Sequence, residues 1–87
     1  MGYRIIDVKV AEVNLGANKL VIKRKKVSGR RTSYLKNVFV LHASTLITSK
    51  ENQTAKLSGI KVGKRVTIDF IKTQDKKLLA KGINILN

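Results

Sequence analysis

The sequence predicts an all-β protein: a small five-stranded barrel, one domain over residues 1–87, with a long connection between strands three and four. Three observations carry that expectation. Apolar and polar residues alternate in five segments with the period of a half-buried strand. Gly, Asn and Ser fall between those segments, and proline is absent. The apolar parity slips once in the first segment and once in the last, as β-bulges would make it do, and bulges let a few strands curl and close. A chain of this length can hold a single modest core without metal or disulfide support. With no cysteine, neither a disulfide framework nor a Cys-based zinc site is available.

The first strand runs along one apolar face from Ile6 through Val8 and Val10 and then skips to Val13. Asn14 to Asn18, with Gly16, forms a turn. The second strand, Lys19 to Val27, points Leu20 and Ile22 one way and Lys23 and Lys25 the other. Ser28 to Ser33 is expected as a loop carrying Arg30 and Arg31 at its tip. The third strand, Tyr34 to Leu41, sets Leu35, Phe39 and Leu41 on one face. His42 to Gly63 is the least periodic stretch, with a short helical turn expected near Thr54 to Ser58 and Gly59 as its stop. Lys64 to Lys72 alternates cleanly, with Val66, Ile68 and Phe70 inward. Thr73 to Lys76 is a polar turn, and the last strand, Lys77 to Leu86, shifts parity across Gly82. The expected core is Val8, Val10, Leu20, Ile22, Leu35, Phe39, Val66, Ile68, Phe70 and Ile83.

The order of three strands, a connection and two strands resembles the OB-fold, with an SH3-like barrel as the alternative. The stretch Leu57 to Ile68, within "LSGIKVGKRVTIDF", and the closing strand Lys77 to Ile83 are similar to segments of small bacterial OB-like domains. This chain departs from many of those domains in its basic surplus. The resemblance implies a ligand face on strands two and three, flanked by the loops between strands one and two and between four and five, where OB-folds take oligonucleotides and oligosaccharides.

Charge gives a partner class. Nineteen Lys and Arg against five Asp and Glu leave a net charge of +14, and Lys23, Arg24, Lys25, Lys26, Arg30 and Arg31 put six cations into nine residues. Such density repels itself and attracts polyanions. The expected function is nucleic-acid binding (DNA or RNA) through phosphate contacts with little sequence preference. Its expected site is Lys23, Arg24, Lys25, Lys26, Arg30, Arg31, Tyr34, Lys36, Lys72, Lys76 and Lys77, with Tyr34 as the stacking residue. The alternative is a non-enzymatic structural or interaction module that docks an acidic protein, a polysaccharide or an envelope surface.

Nothing in the sequence composes an active centre. His42 is the only histidine, and Asp7, Glu12, Glu51, Asp69 and Asp75 are dispersed without the spacing of a general acid and base or of a metal site. No catalytic residue, cofactor or metal is therefore expected, and the chain is read as a non-enzyme. The longest apolar run, Val38 to Leu41, is too short to span a membrane. Localisation is expected to be cytoplasmic, with export the alternative if Met1-Gly2 stands where a leader was removed.

Overall fold

Alternation becomes a closed ring. The computed structural model describes residues 2–51 and 53–86. It contains β1 (Gly2–Asn14), β2 (Lys19–Ser28), β3 (Arg31–Thr48), a 3₁₀ turn (Leu57–Gly59), β4 (Arg65–Lys72) and β5 (Leu78–Ile85). The ring order is β1-β2-β3-β5-β4, and β4 returns to β1. Every neighbour is antiparallel except β3 and β5, which run parallel. The expected five-stranded, all-β barrel is therefore what the chain forms.

Bulges close the ring, and the first lies earlier than the sequence suggests. Against β4 the register of β1 shifts between Ile5 and Val8, where Asp7 has a φ of 58°. That extra residue puts Ile5 and Val8 on the core side and leaves Ile6 67% exposed, correcting its placement on the inner face with Val8. Asp7 tolerates a left-handed backbone better than most side chains, and its carboxylate is held by Arg65 through Nε–Oδ1 at 2.5 Å and Nη2–Oδ2 at 2.7 Å. A second shift, between Val10 and Glu12 against β2, is the expected one before Val13. In β5 the register against β4 slips between Gly82 and Ala80, as the parity change across Gly82 predicts.

β3 is much longer than expected. It continues through His42 to Thr48 by carrying an irregularity between Leu41 and Leu46 in its pairing with β5. The Thr45 hydroxyl pins that irregularity: it accepts the His42 N–H at 2.8 Å and donates to the Ala80 carbonyl at 2.7 Å. The connection to β4 correspondingly shortens, and the helical turn expected near Thr54 to Ser58 is the 3₁₀ turn Leu57–Gly59. Asn52 and Met1 lie outside the described residues, so the reading of Met1-Gly2 as a start falls partly there. Gly63 and Lys64 strap the connection to Val10 through main-chain bonds of 2.9 Å.

Of the expected core, Val8, Val10, Leu20, Ile22, Phe39, Val66, Ile68 and Ile83 are buried. Phe70 is half-buried and sets its ring edge-on to Phe39 at 5.0 Å. Leu41, Ile47, Ile60, Ala80 and Ile85 complete the cluster. Leu35 is the exception, 43% exposed, and its placement in the core is corrected. Its parity is the inward one, but at Leu35 the chain has already left the barrel.

Candidate functional site

The ribbon that leaves the barrel is built from residues that cannot be buried in it. β1 last pairs with β2 at Lys9↔Lys23, and β5 first pairs with β3 at Phe39↔Leu78. Beyond those points Arg24 to Ser28 pair only with Arg31 to Leu35, and Lys36 to Val38 pair only with β2. Burying unpaired cations costs several kcal/mol each, so the six that crowd this hairpin hold it in water. At about 3.3 Å per residue the ribbon projects roughly 15–20 Å.

Its turn differs from expectation. Ser28 pairs directly with Arg31, which leaves only Gly29 and Arg30 as the loop, and Arg31 opens β3. Gly29 has a φ of 59° while Arg30 stays at negative φ, the requirement of a two-residue turn that matches strand twist. The six-residue loop from Ser28 to Ser33 is thus corrected to a tight turn, and Tyr34 lies within β3 instead of starting it.

Strand alternation gives the ribbon two faces. Lys23 and Lys25 face Lys36 and Tyr34, and Arg24 and Lys26 face Leu35 and Ser33. The Lys23 ammonium sits 4.2 Å from the centre of the Tyr34 ring, a cation–π contact across the diagonal. The Arg24 Nε donates to Asn37 Oδ1 at 3.2 Å. None of Lys23, Arg24, Lys25, Lys26, Arg30, Arg31 and Lys36 pairs with a carboxylate among the described residues. Lys23 even stands directly opposite Lys36, a repulsive cross-strand pair.

The remaining expected site residues are elsewhere. Lys72 lies 5.4 Å from the Tyr3 ring, which stacks on Phe70 at 5.6 Å. Lys76 and Lys77 occupy the β4–β5 turn and share a shallow cleft with Lys19, Val38 and Val40 at the foot of the ribbon. There the Thr73 hydroxyl bonds Asp75 and, with a smaller contribution from Lys77 at 3.7 Å, holds its carboxyl below the ordinary carboxylate range. Arg4 and Arg65 are held more firmly protonated by hydrogen bonds to Asp69 and Asp7. The structure therefore gathers Lys23 to Lys26, Arg30, Arg31, Tyr34 and Lys36 on one ribbon, brings Lys76 and Lys77 to its foot beside Val38, and sets Lys72 apart beside Tyr3.

One feature escaped the sequence. Where β1 swings away from β2, a cleft of about 480 Å³ opens between Asp7, Val8 and Lys9 on one side and Lys23, Arg24, Lys25 and Tyr34 on the other. The adjacent Ile5 and Ile6 ahead of Asp7 were its signal, because only one of two neighbouring strand residues can face the core, and the bulge there parts the two strands. His42, by contrast, is tied locally: its Nδ1 accepts the Ser44 N–H at 3.2 Å.

No protein-family model and no curated protein matches the sequence. Solved structures do match the fold. CusF with Ag(I) aligns at a TM-score of 0.68 and 16% identity over 98% of this chain and 97% of that one. A tryptophan-to-alanine variant of *Escherichia coli* CusF with Cu(II) aligns at 0.66 and 17% over 97% and 90%. Apo-CusF from *Escherichia coli* aligns at 0.63 and 19% over 98% and 89%. These likenesses establish a small five-stranded barrel similar to that of CusF, and they correct the functional expectation. Nucleic-acid binding, DNA or RNA, was inferred from basic charge on a fold that takes oligonucleotides, and of the matched CusF structures two carry Ag(I) or Cu(II), the third is apo, and none is a nucleic-acid complex. Tyr34, the expected stacking residue, carries the Lys23 ammonium over its ring.

Proposed function

We propose that this chain is a non-enzymatic docking module: a rigid OB-like barrel that holds out a basic ribbon to an acidic protein. The observation that carries the reading is the contrast in charge pairing. Asp7, Asp69 and Asp75 are each matched to a cation on the barrel or its turns, whereas the ribbon's cations are left without carboxylates among the described residues. Such a concentration costs repulsion that an anionic partner relieves. Apolar side chains lie among the cations, with Val27 64%, Tyr34 56% and Val38 47% exposed. A polypeptide offers both carboxylates and apolar groups at strand spacing, which a sulfated polysaccharide does not.

The metal ions of the CusF structures do not transfer. Ag(I) and the reduced copper ion take soft donors, thioether or thiolate, and Cu(II) takes clustered imidazoles. This chain has no cysteine, one methionine, Met1, outside the described residues, and one histidine whose ring is bonded to Ser44. No three of His, Cys, Asp and Glu converge among the described residues. The finer kinship, to small bacterial OB-like domains, rests on Leu57 to Ile68 and Lys77 to Ile83 and belongs to the same reading.

The test is binding to polyglutamate measured by fluorescence anisotropy, with heparin and phosphatidylglycerol vesicles as rivals. The expected result is polyglutamate binding that weakens with salt and is lost in a Lys25→Ser, Arg30→Ser, Arg31→Ser variant, while Lys50→Ser, Lys56→Ser leaves it intact. Preference for heparin or vesicles, or equal loss in both variants, overturns the acidic-protein reading.

A further inference from the structure

Main-chain geometry says how the ribbon takes its partner. In an antiparallel hairpin closed by a two-residue turn, the closing pair and every second pair from it exchange hydrogen bonds, and the residues between aim N–H and C=O outward. Ser28↔Arg31 is the closing pair, so Lys26↔Ser33 and Arg24↔Leu35 bond inward, and Lys25 and Val27 present their main-chain groups to the outer edge of β2. The Ser33 hydroxyl lies 3.5 Å from the Lys26 carbonyl, on the inward side as this assignment requires. At Lys23 the outward groups meet β1, whose Lys9 stands opposite. Past Lys23, β1 turns off at the Asp7 bulge and the ladder stops, with the cleft between Asp7–Lys9 and Lys23–Lys25 lying where the next strand would run.

Resting on the docking reading above, we infer that this edge receives an extended acidic segment of the partner protein as an added strand. Its main chain pairs with Lys25 and Val27, and its carboxylates meet Lys23 and Lys25 on one face and Arg24 and Lys26 on the other. Charge complementarity selects that occupant. An open edge is ordinarily a risk of self-association, and cations along it guard against pairing with a second copy of the same basic strand. The same cations attract an acidic strand. Asp7, the one carboxylate lining the cleft, is already held by Arg65. The added strand thus extends the ladder in the manner of strand addition to a sheet edge, with main-chain bonds giving affinity and alternate side chains giving selectivity.

The experiment uses the intact chain and a short synthetic peptide of repeated Glu-Glu-Val, which in an extended conformation carries carboxylates on both faces. Amide hydrogen exchange followed by NMR is expected to show Lys25 and Val27 exchanging fast in the free protein and at least about tenfold slower with peptide, while Arg24 and Lys26 are protected in both states. Methylating the peptide's edge-facing amides should weaken binding about five- to tenfold without altering its charge. Val27→Pro, which removes an outward N–H and retains every cation, should weaken binding by a similar factor with the same salt dependence, whereas Val27→Thr should not. Peptide binding without protection at Lys25 and Val27, or indifferent to amide methylation, overturns strand addition and leaves the docking reading standing. Failure of both this peptide and polyglutamate to bind overturns both.

Discussion

β2 belongs to two regions that share one alternation and differ in everything else. From Lys19 to Ile22 its inward positions, Leu20 and Ile22, have no exposed surface. From Arg24 to Ser28 the positions of the same parity hold Arg24 and Lys26 and stand in water beside Leu35, the exposed residue across the ladder. The hydrogen-bonded register runs unbroken from Lys19↔Val40 to Ser28↔Arg31. Alternation therefore defines which face a side chain shares, and burial depends on whether another strand is there to cover that face. In the barrel body the rest of the ring covers the inner face of each strand and leaves the outer face wetter, whereas on the ribbon both faces are wet.

The sharpest way to break that comparison is to truncate equivalent positions in the two regions. Ile22→Ala should cost about 2–5 kcal/mol in urea unfolding, because it leaves a cavity at a fully buried site. Leu35→Ala, on the same parity, should stay within about 0.5 kcal/mol; a cost like that of Ile22 would mean that the ribbon packs on something in solution. Next in size is Thr45→Val, which removes the hydroxyl that serves both the His42 N–H and the Ala80 carbonyl at the half-buried β3 irregularity. The expected loss is about 1–3 kcal/mol by thermal or chemical unfolding.

Gly29→Ala probes the ribbon's own conformation. A β-carbon at a φ of 59° should cost about 1–2 kcal/mol locally. Because the ribbon contributes little to the core, this change should raise amide exchange across Lys25 to Ser33 more than it lowers global stability. The smallest effect concerns acid. Asp75 is held below the ordinary carboxylate range chiefly by the Thr73 hydroxyl, so its contribution is present above the range in which a free carboxyl titrates. It is lost as pH falls through the folded value, below roughly pH 4. Thr73→Val should raise the Asp75 midpoint in an NMR titration and leave the ribbon's spectra unchanged.

The candidate site was legible in part. Six cations in nine residues marked the ribbon from composition alone, and alternation placed Lys23 and Lys25 opposite Leu20 and Ile22. Two residues of polar sequence near Gly29 cannot reveal whether the loop holds two residues or six, because strand pairing continues for as long as the register allows. Lys72, Lys76 and Lys77 were grouped with the ribbon on the strength of the OB-like ligand face, and the barrel places Lys76 and Lys77 at the ribbon's foot and Lys72 beside Tyr3. Nucleic acid was the wrong partner class because net charge reports a preference for anions and carries no information about which anion.

The sequence by itself determined that there are five strands and most of their inward positions, since a period of two is a local property that each segment carries alone, but it did not determine that Ile6 faces out or that β3 runs on to Thr48. It also determined that the molecule has no Cys-based metal chemistry and a strongly basic surface. Tertiary structure decided where each strand loses its neighbour. Whether Lys25 and Val27 have an open edge depends on the turn that β1 takes at Asp7, and whether Leu35 is wet depends on β5 starting its pairing only at Phe39. Those are distances between residues far apart in the chain, set by how five strands must bend and stagger to close around one core.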